Sequence, residues 1–195
     1  MDITLLINYF NHPNTSRRDE FIYCLNKNND NPLITKVIVF VDGLTDYQFI
    51  RGYDKFTPIQ YSGRASYKDF FEYANTYNTG MTIVSNLDIY FDNTLEKLSN
   101  YNFDNTVLAL SRTDLISTCS QDAWIFKTQL NTAGFDCDFH LGNPGCDNRI
   151  AYELHKNYDV INACFQIKIH HMHQSSVRTT QEGTISKPYY FPVIS

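Results

Sequence analysis

Strands alternating with helices predict an α/β protein with a mostly parallel central sheet flanked by helices. Two features of the sequence carry that expectation. Short apolar runs rich in β-branched residues recur at residues 3–9, 34–41 and 81–85, as suits strands covered on both faces. Between them lie segments whose apolar residues recur at helical spacing, with polar caps at their starts. No internal repeat or low-complexity linker interrupts the pattern.

The elements follow in order. Residues 3–9 read as the first strand. Ser16 offers an N-cap for a helix over 17–26, where Phe21, Ile22 and Leu25 share helical spacing. Residues 34–41 form a second strand closed by Asp42-Gly43, and 58–61 a short third strand ending at Ser62-Gly63-Arg64. Ser66 caps a helix running to 77, with Phe70, Phe71 and Tyr73 on or near its buried face. Residues 81–85 make the fourth strand, 94–98 a short helix, 107–111 a fifth strand and 123–126 another short one. A helix spans 146–156, with Ile150, Ala151 and Leu154 inward. A last strand over 161–169 leads into His170-His171-Met172-His173. The tail, 175–195, packs on the surface or leads to a further segment.

The chain has 195 residues, one domain's worth, with 43% hydrophobic and 15% aromatic residues. A chain this long buries roughly 70% of its unfolded surface and builds a core without staples. The net charge of −5 argues against a nucleic-acid binder, which would carry a basic stripe. The five cysteines, Cys24, Cys119, Cys137, Cys146 and Cys164, are odd in number, and none has C-x-x-C spacing. That implies neither a disulfide framework nor a zinc cluster and predicts a reducing compartment. The N-terminus lacks a basic n-region and reads as a core strand. No apolar run reaches the ~18 residues of a membrane span.

The most informative stretch is Thr82 to Asp92. An apolar strand runs into Asn86-Leu87-Asp88 and then resumes as Ile89-Tyr90-Phe91. Ligands of open α/β sheets bind beyond the strands' carboxyl ends, where Asn86 and Asp88 fall. Oxygen ligands at i and i+2 suit a hard cation such as Mg²⁺ or Mn²⁺; a strand ending in a solvated turn is the plainer alternative. His171 and His173 alternate on an extended segment, so both project one way and could share a metal with a carboxylate. Asp122 precedes the single Trp, Trp124, and either binds a sugar hydroxyl, holds Arg112 or opens a strand. Asp147 follows a Gly/Pro turn at a helix start, and is either a helix cap or a carboxylate able to deprotonate a hydroxyl. Arg64, after a strand end and Gly63, could fork onto a phosphate or pair with Asp69 or Glu72. The chain contains no G-x-G-x-x-G, no phosphate-loop motif and no G-x-S-x-G elbow.

In order, the chain presents Asn8-Tyr9-Phe10, then Arg64 with Ser66-Tyr67-Lys68-Asp69-Phe70-Phe71, then Asn86-Leu87-Asp88 through Asp92. Leu110-Ser111-Arg112, Ser120-Gln121-Asp122-Ala123-Trp124, Gly145-Cys146-Asp147-Asn148-Arg149 and His171-Met172-His173-Gln174-Ser175 complete the series. This set resembles the GT-A-type nucleotide-sugar glycosyltransferase domains of bacteria and large DNA viruses, over about residues 3 to 178. The resemblance implies a GT-A-like (Rossmann-like) fold, a nucleotide-diphosphate-sugar donor, UDP-linked first of all, a hydroxyl or glycan acceptor and a divalent metal. Asn8, Phe10, Arg64, Asn86, Leu87 and Asp88 would bind donor. Asp88, His171 and His173 would hold Mn²⁺ or Mg²⁺, and Asp147 or Asp122 would act on the acceptor. Asn86-Leu87-Asp88 falls where the fold carries its D-x-D motif, with Asn replacing the first Asp, so Asp88 is the expected direct ligand.

Two other readings stand beside it. A sugar-phosphate nucleotidyltransferase would carry a Gly-rich basic loop after the first strand, and residues 11–18 contain no glycine. A non-catalytic nucleotide-sugar-binding module is favoured by Asn86. The expected organisation is a glycosyltransferase domain over 1–178 and a tail over 179–195, one domain of a larger polypeptide or a minimal enzyme. The expected location is the cytoplasm of a bacterium or a virus-infected cell.

Overall fold

The computed structural model describes every residue except 44–46, 176 and 178–182. The expected boundary at 178–179 lies outside the described residues. Eight strands form one mixed, mostly parallel sheet in the order β10-β8-β6-β7-β4-β1-β2-β3. These are β1 (Ile3–Tyr9), β2 (Lys36–Asp42), β3 (Phe56–Tyr61), β4 (Met81–Ser85), β6 (Thr106–Leu110), β7 (Ala123–Lys127), β8 (Asp159–Asn162) and β10 (Val193–Ile194). A second sheet pairs β5 (Ile89–Phe91) antiparallel with β9 (Ile169–His171). The helices are α1 (Thr15–Asp30), α2 (Tyr67–Tyr77) and α3 (Cys146–His155), with short 3-10 helices at Gln48–Gly52 and Asn93–Asn100.

The period-2 alternation of the strands divides the core between the two faces. Ile3, Leu5, Ile7 and Tyr9 of β1 pack with Phe21 and Leu25 of α1 on one face. Leu6, Ile38, Phe40, Val84, Trp124 and Phe126 pack with Phe70, Phe71 and Ala74 of α2 and Ile150 and Leu154 of α3 on the other. Ser66 caps α2 as expected, in a reciprocal capping box with Asp69.

Three expectations need correction. The N-cap of α1 is Asn14, not Ser16: its side chain accepts from the Arg17 amide at 3.1 Å. The helix also runs on past residue 26 to Asp30. Asn28 and Asn31, weak helix formers, are buried and bond the β5 backbone, so tertiary contacts offset propensity. The segment 161–169 is not one strand. Buried Asn162 donates to Ser111 Oγ at 2.7 Å and accepts from the Ser111 amide, ending β8, and the chain turns at Ala163 before β9. The tail returns to the sheet, where β10 pairs parallel with β8.

β4 and β7 are antiparallel, with Ser85 opposite Ala123. Residues just before β7 therefore arrive at the edge where the parallel strands end. The strand order reverses between β1 and β4, so the topological switch point opens at that edge.

Candidate active site

The carboxyl edge forms a cleft of about 640 Å³. Every residue expected to act lines it: Asn8, Phe10, Arg64, Asn86, Leu87, Asp88, Asp122, Asp147, His171 and His173. Each arrives by a different local cause. Asn8 ends β1, and its Oδ1 accepts from the Ala65 amide at 2.9 Å, which fixes the loop between β3 and α2. Arg64 projects from that loop and donates to the Leu141 carbonyl. Asp69 is engaged in the α2 cap, and Glu72 lies near Lys68. Asn86 continues β4 and donates from Nδ2 to Asp122 Oδ1 at 2.8 Å, while the Asn86 amide donates to the Asp122 carbonyl.

The small β5–β9 sheet delivers the histidines. Ile89 pairs with His171, and the Met172 amide donates to the Asp88 carbonyl at 2.9 Å, so β9 registers His171 and His173 against Asp88. One ligand atom from each of Asp88, His171 and His173 lies within 4.8 Å of the others. His171 Nε2 is 3.2 Å from Asp88 Oδ2, and His173 Nε2 is buried with no hydrogen-bond partner among the described residues. A carboxylate oxygen and two imidazole nitrogens, one of them orphaned, fit a divalent transition ion.

Asp88 also accepts from Arg17 Nη2. Arg17 Nη1 donates to Glu20 Oε2 at 2.7 Å and to the Met172 carbonyl at 2.9 Å. Glu20 in turn accepts from the Ser175 amide and hydroxyl, tying the segment that carries His173 to α1. Arg112 Nη1 lies 3.0 and 3.1 Å from the two His171 ring nitrogens, and Arg112 Nε is 3.2 Å from Asp114 Oδ1. Asp122 is not held by Arg112; its hydrogen-bonded partner is Asn86, and its Oδ2 is buried without one.

Protonation follows these contacts. Burial works to raise the Asp88 carboxyl, but His171 and Arg17 outweigh it and hold it below the usual range. Burial depresses the His171 imidazole, yet Asp88 beside it lifts it above its ordinary value. Burial, with Arg17 and His171, keeps His173 low, so it is the neutral ligand type. Burial, then the charge of Asp88, raises Asp122. Burial raises Asp147 to about 6, against backbone amides that favour its anion.

Asp147 is the second residue of α3, not its cap. Gly145 occupies the cap position at φ +81, and Asp147 Oδ2 accepts from the Gln121 amide at 3.3 Å. That bond joins α3 to the segment, with Asp122, that leads into β7.

Sequence reading did not single out Arg17, Glu20 or Asp114. The available signal was an Arg, Glu and Phe at i, i+3 and i+4, one helix face directly after β1. Arg17 lies against the Phe21 ring at 4.7 Å, so that face is buried against the cleft, not solvated.

No family model matches the sequence, and no curated protein matches it. Among solved structures, the chain is similar to the mannosyltransferase PcManGT from Pyrobaculum calidifontis, described in complex with GDP-Man and Mn²⁺. The TM-score is 0.59 at 11% identity, over 82% of this chain and 54% of that one, so the match spans about half the relative's length. It is also similar to the inositol-1-phosphate CTP transferase from T. maritima, with TM-score 0.55 at 8% identity over 92% of both chains. No described helix is long and apolar enough to cross a membrane. The likenesses establish the architecture expected from the sequence: a GT-A-like α/β fold, with the cleft at the carboxyl edge of its sheet.

Proposed function

We propose that this chain is a metal-dependent glycosyltransferase domain that moves a sugar from a nucleotide-diphosphate donor to a hydroxyl acceptor. One observation carries the reading: Asp88, His171 and His173 converge at the switch point of the sheet, facing Arg64 and Asp147 across one cleft. The description of PcManGT with GDP-Man and Mn²⁺ supports it on a shared fold.

In this reading the nucleoside lies near Asn8 and Phe10, and Arg64 forks onto the diphosphate. Asp88, His171 and His173 would hold Mn²⁺ or Mg²⁺, whose charge stabilises the leaving diphosphate. Asp147 sits on the acceptor side. Where the transfer inverts the anomeric centre, it takes the proton of the attacking hydroxyl; where it retains, it orients the acceptor. A carboxyl poised near pH 6 suits a base working at neutral pH. Asp122, joined to Asn86, supports the floor between the two halves.

The test is nucleotide-sugar hydrolysis and binding across UDP-, GDP- and TDP-sugars, with and without Mn²⁺. Wild type should bind and turn over at least one donor with metal, and Asp88→Ala should lose metal-dependent nucleotide affinity while still folding, at a lowered melting temperature because buried Arg17 loses its partner. Unchanged affinity in Asp88→Ala would refute the metal assignment. Donor binding without any turnover would favour a non-catalytic module. A second reading, nucleotidyl transfer to a sugar phosphate, is favoured by the 92% two-way coverage with the CTP transferase. Pyrophosphate release from CTP or UTP and a sugar phosphate would select it.

A further inference from the structure

We propose that Arg17 is the built-in counter-cation of the Asp88 site, releasing Asp88 to a divalent ion only when a diphosphate is present to receive its guanidinium. The inference rests on reading the cleft as a nucleotide-diphosphate site. It adds a residue and a binding order to that reading.

The geometry divides Arg17 into an anchored end and an exchangeable end. Nη1 is fixed by Glu20 Oε2 and the Met172 carbonyl, and Phe21 supports the plane of the group. Nη2 faces Asp88, the one carboxylate among the three candidate metal ligands. The residue is buried, yet it lines the cleft. Its Nε is buried with no hydrogen-bond partner among the described residues, whereas Arg112, on the other side of His171, is paired through Nε with Asp114. A guanidinium with an unused donor therefore borders the place where an anion would lie.

The charge balance explains the order. A D-x-D site attracts a bare dication with two carboxylates. Here the side chain at position 86 is a neutral amide, whose Nδ2 donates to Asp122, and Asp88 is already paired with Arg17. A dication arriving alone must displace Arg17 or sit beside its positive charge in a partly buried site, where like charges are poorly screened. A diphosphate supplies the missing negative charge and offers oxygens that accept the Arg17 fork. Ion and nucleotide then bind with positive coupling, which by linkage is the same factor measured from either side.

The experiment is a binding cycle by calorimetry: Mn²⁺ with and without UDP, and UDP with and without Mn²⁺, in wild type, Arg17→Gln and Glu20→Gln. In wild type, UDP should tighten Mn²⁺ by a factor within the usual coupling range of about 5–150. Arg17→Gln should bind Mn²⁺ alone about tenfold tighter and bind UDP more weakly, and its coupling should shrink towards about twofold. Glu20→Gln keeps Arg17 but removes its other carboxylate, so Arg17 should hold Asp88 harder and bare Mn²⁺ should weaken. These opposite signs separate charge competition from a loss of folding, and Glu20→Gln tests the proposal even where Arg17→Gln does not fold. Bare Mn²⁺ binding no tighter in Arg17→Gln, or no weaker in Glu20→Gln, overturns it. So does UDP binding that is insensitive to EDTA in wild type yet lost in Arg17→Gln, which would make Arg17 a permanent substitute for the ion. A wild type that binds neither UDP nor the Mn²⁺–UDP pair refutes the reading of the cleft itself.

Discussion

Asp147 combines a strongly shifted carboxyl with a position at the first turn of α3. Its raised value, about 6 against 3.8, means the folded protein holds a proton there that the unfolded chain has released. Stability should fall as pH rises through that window, and the full cost should persist above it. Asp147→Asn removes the cost and keeps an acceptor for the Gln121 amide. The variant should gain about 1–3 kcal/mol over wild type at pH 7.5, and almost nothing near pH 3.5, read by denaturant melts. Its transfer rate should drop by about 10²–10⁴ if Asp147 is the base, and the wild-type rate should decline below about pH 6. A near-normal rate in the variant would move the acceptor-side role to Asp122. At this scale much of the cleft was legible, because Asn86-Leu87-Asp88 and the alternate histidines carry their spacing in the sequence. Arg17 and Glu20 were not. Their chemistry depends on Met172 and Ser175, after β9, meeting α1, and a helix face alone does not distinguish a buried ion pair from a solvated one.

Among the elements, the turn into α3 depends most on a single residue. Gly145 has φ +81, and a Cβ there would meet Tyr189 Oη at 2.6 Å and the Ile185 carbonyl at 2.9 Å. Gly145→Ala combines left-handed strain with a backbone clash, and should cost about 2–4 kcal/mol. For a chain of this size that is a melting temperature lower by roughly 5–15 °C. Gly52→Ala is the control: nothing lies within 4 Å of its Cβ position, and it should melt within about 2 °C of wild type. Equal melts for the two variants would mean that the 185–190 segment does not brace the turn. The Gly/Pro turn was visible in the sequence, but the segment seated on it was not, because its contacts span some forty residues. The same limit explains β5 and β9. Three-residue strands have too little periodicity to read, and the register between Ile89 and His171 exists only once both sheets have formed.

Across the whole molecule, the doubly covered sheet was readable because its buried strands are near-continuous apolar runs, whereas the antiparallel insertion of β7 was not. In the proposed reading that insertion divides the site: Asn8, Asn86 and Asp88 come from the ends of β1 and β4, and Asp147 from α3. Arg149 ties the second half together. It bonds Glu153 through Nε at 3.1 Å, Asp136 through Nη2 at 2.7 Å and the Ser186 and Lys187 carbonyls through Nη1. Glu153 is fully buried, so losing Arg149 leaves it with Lys156 and the Asp136 amide. Arg149→Ala should therefore cost about 3–5 kcal/mol, a melting temperature lower by roughly 10 °C. The described partners of Arg149 are Glu153, Asp136 and the 186–187 carbonyls, none of them a proposed donor residue, so UDP affinity with Mn²⁺ should stay within about twofold of wild type below the melt. If Asp147 acts on the acceptor as proposed, turnover should fall more than affinity, because α3 carries Asp147. If UDP affinity instead falls in step with stability, the two halves form one cooperative unit, and the division of donor and acceptor functions across β7 is wrong.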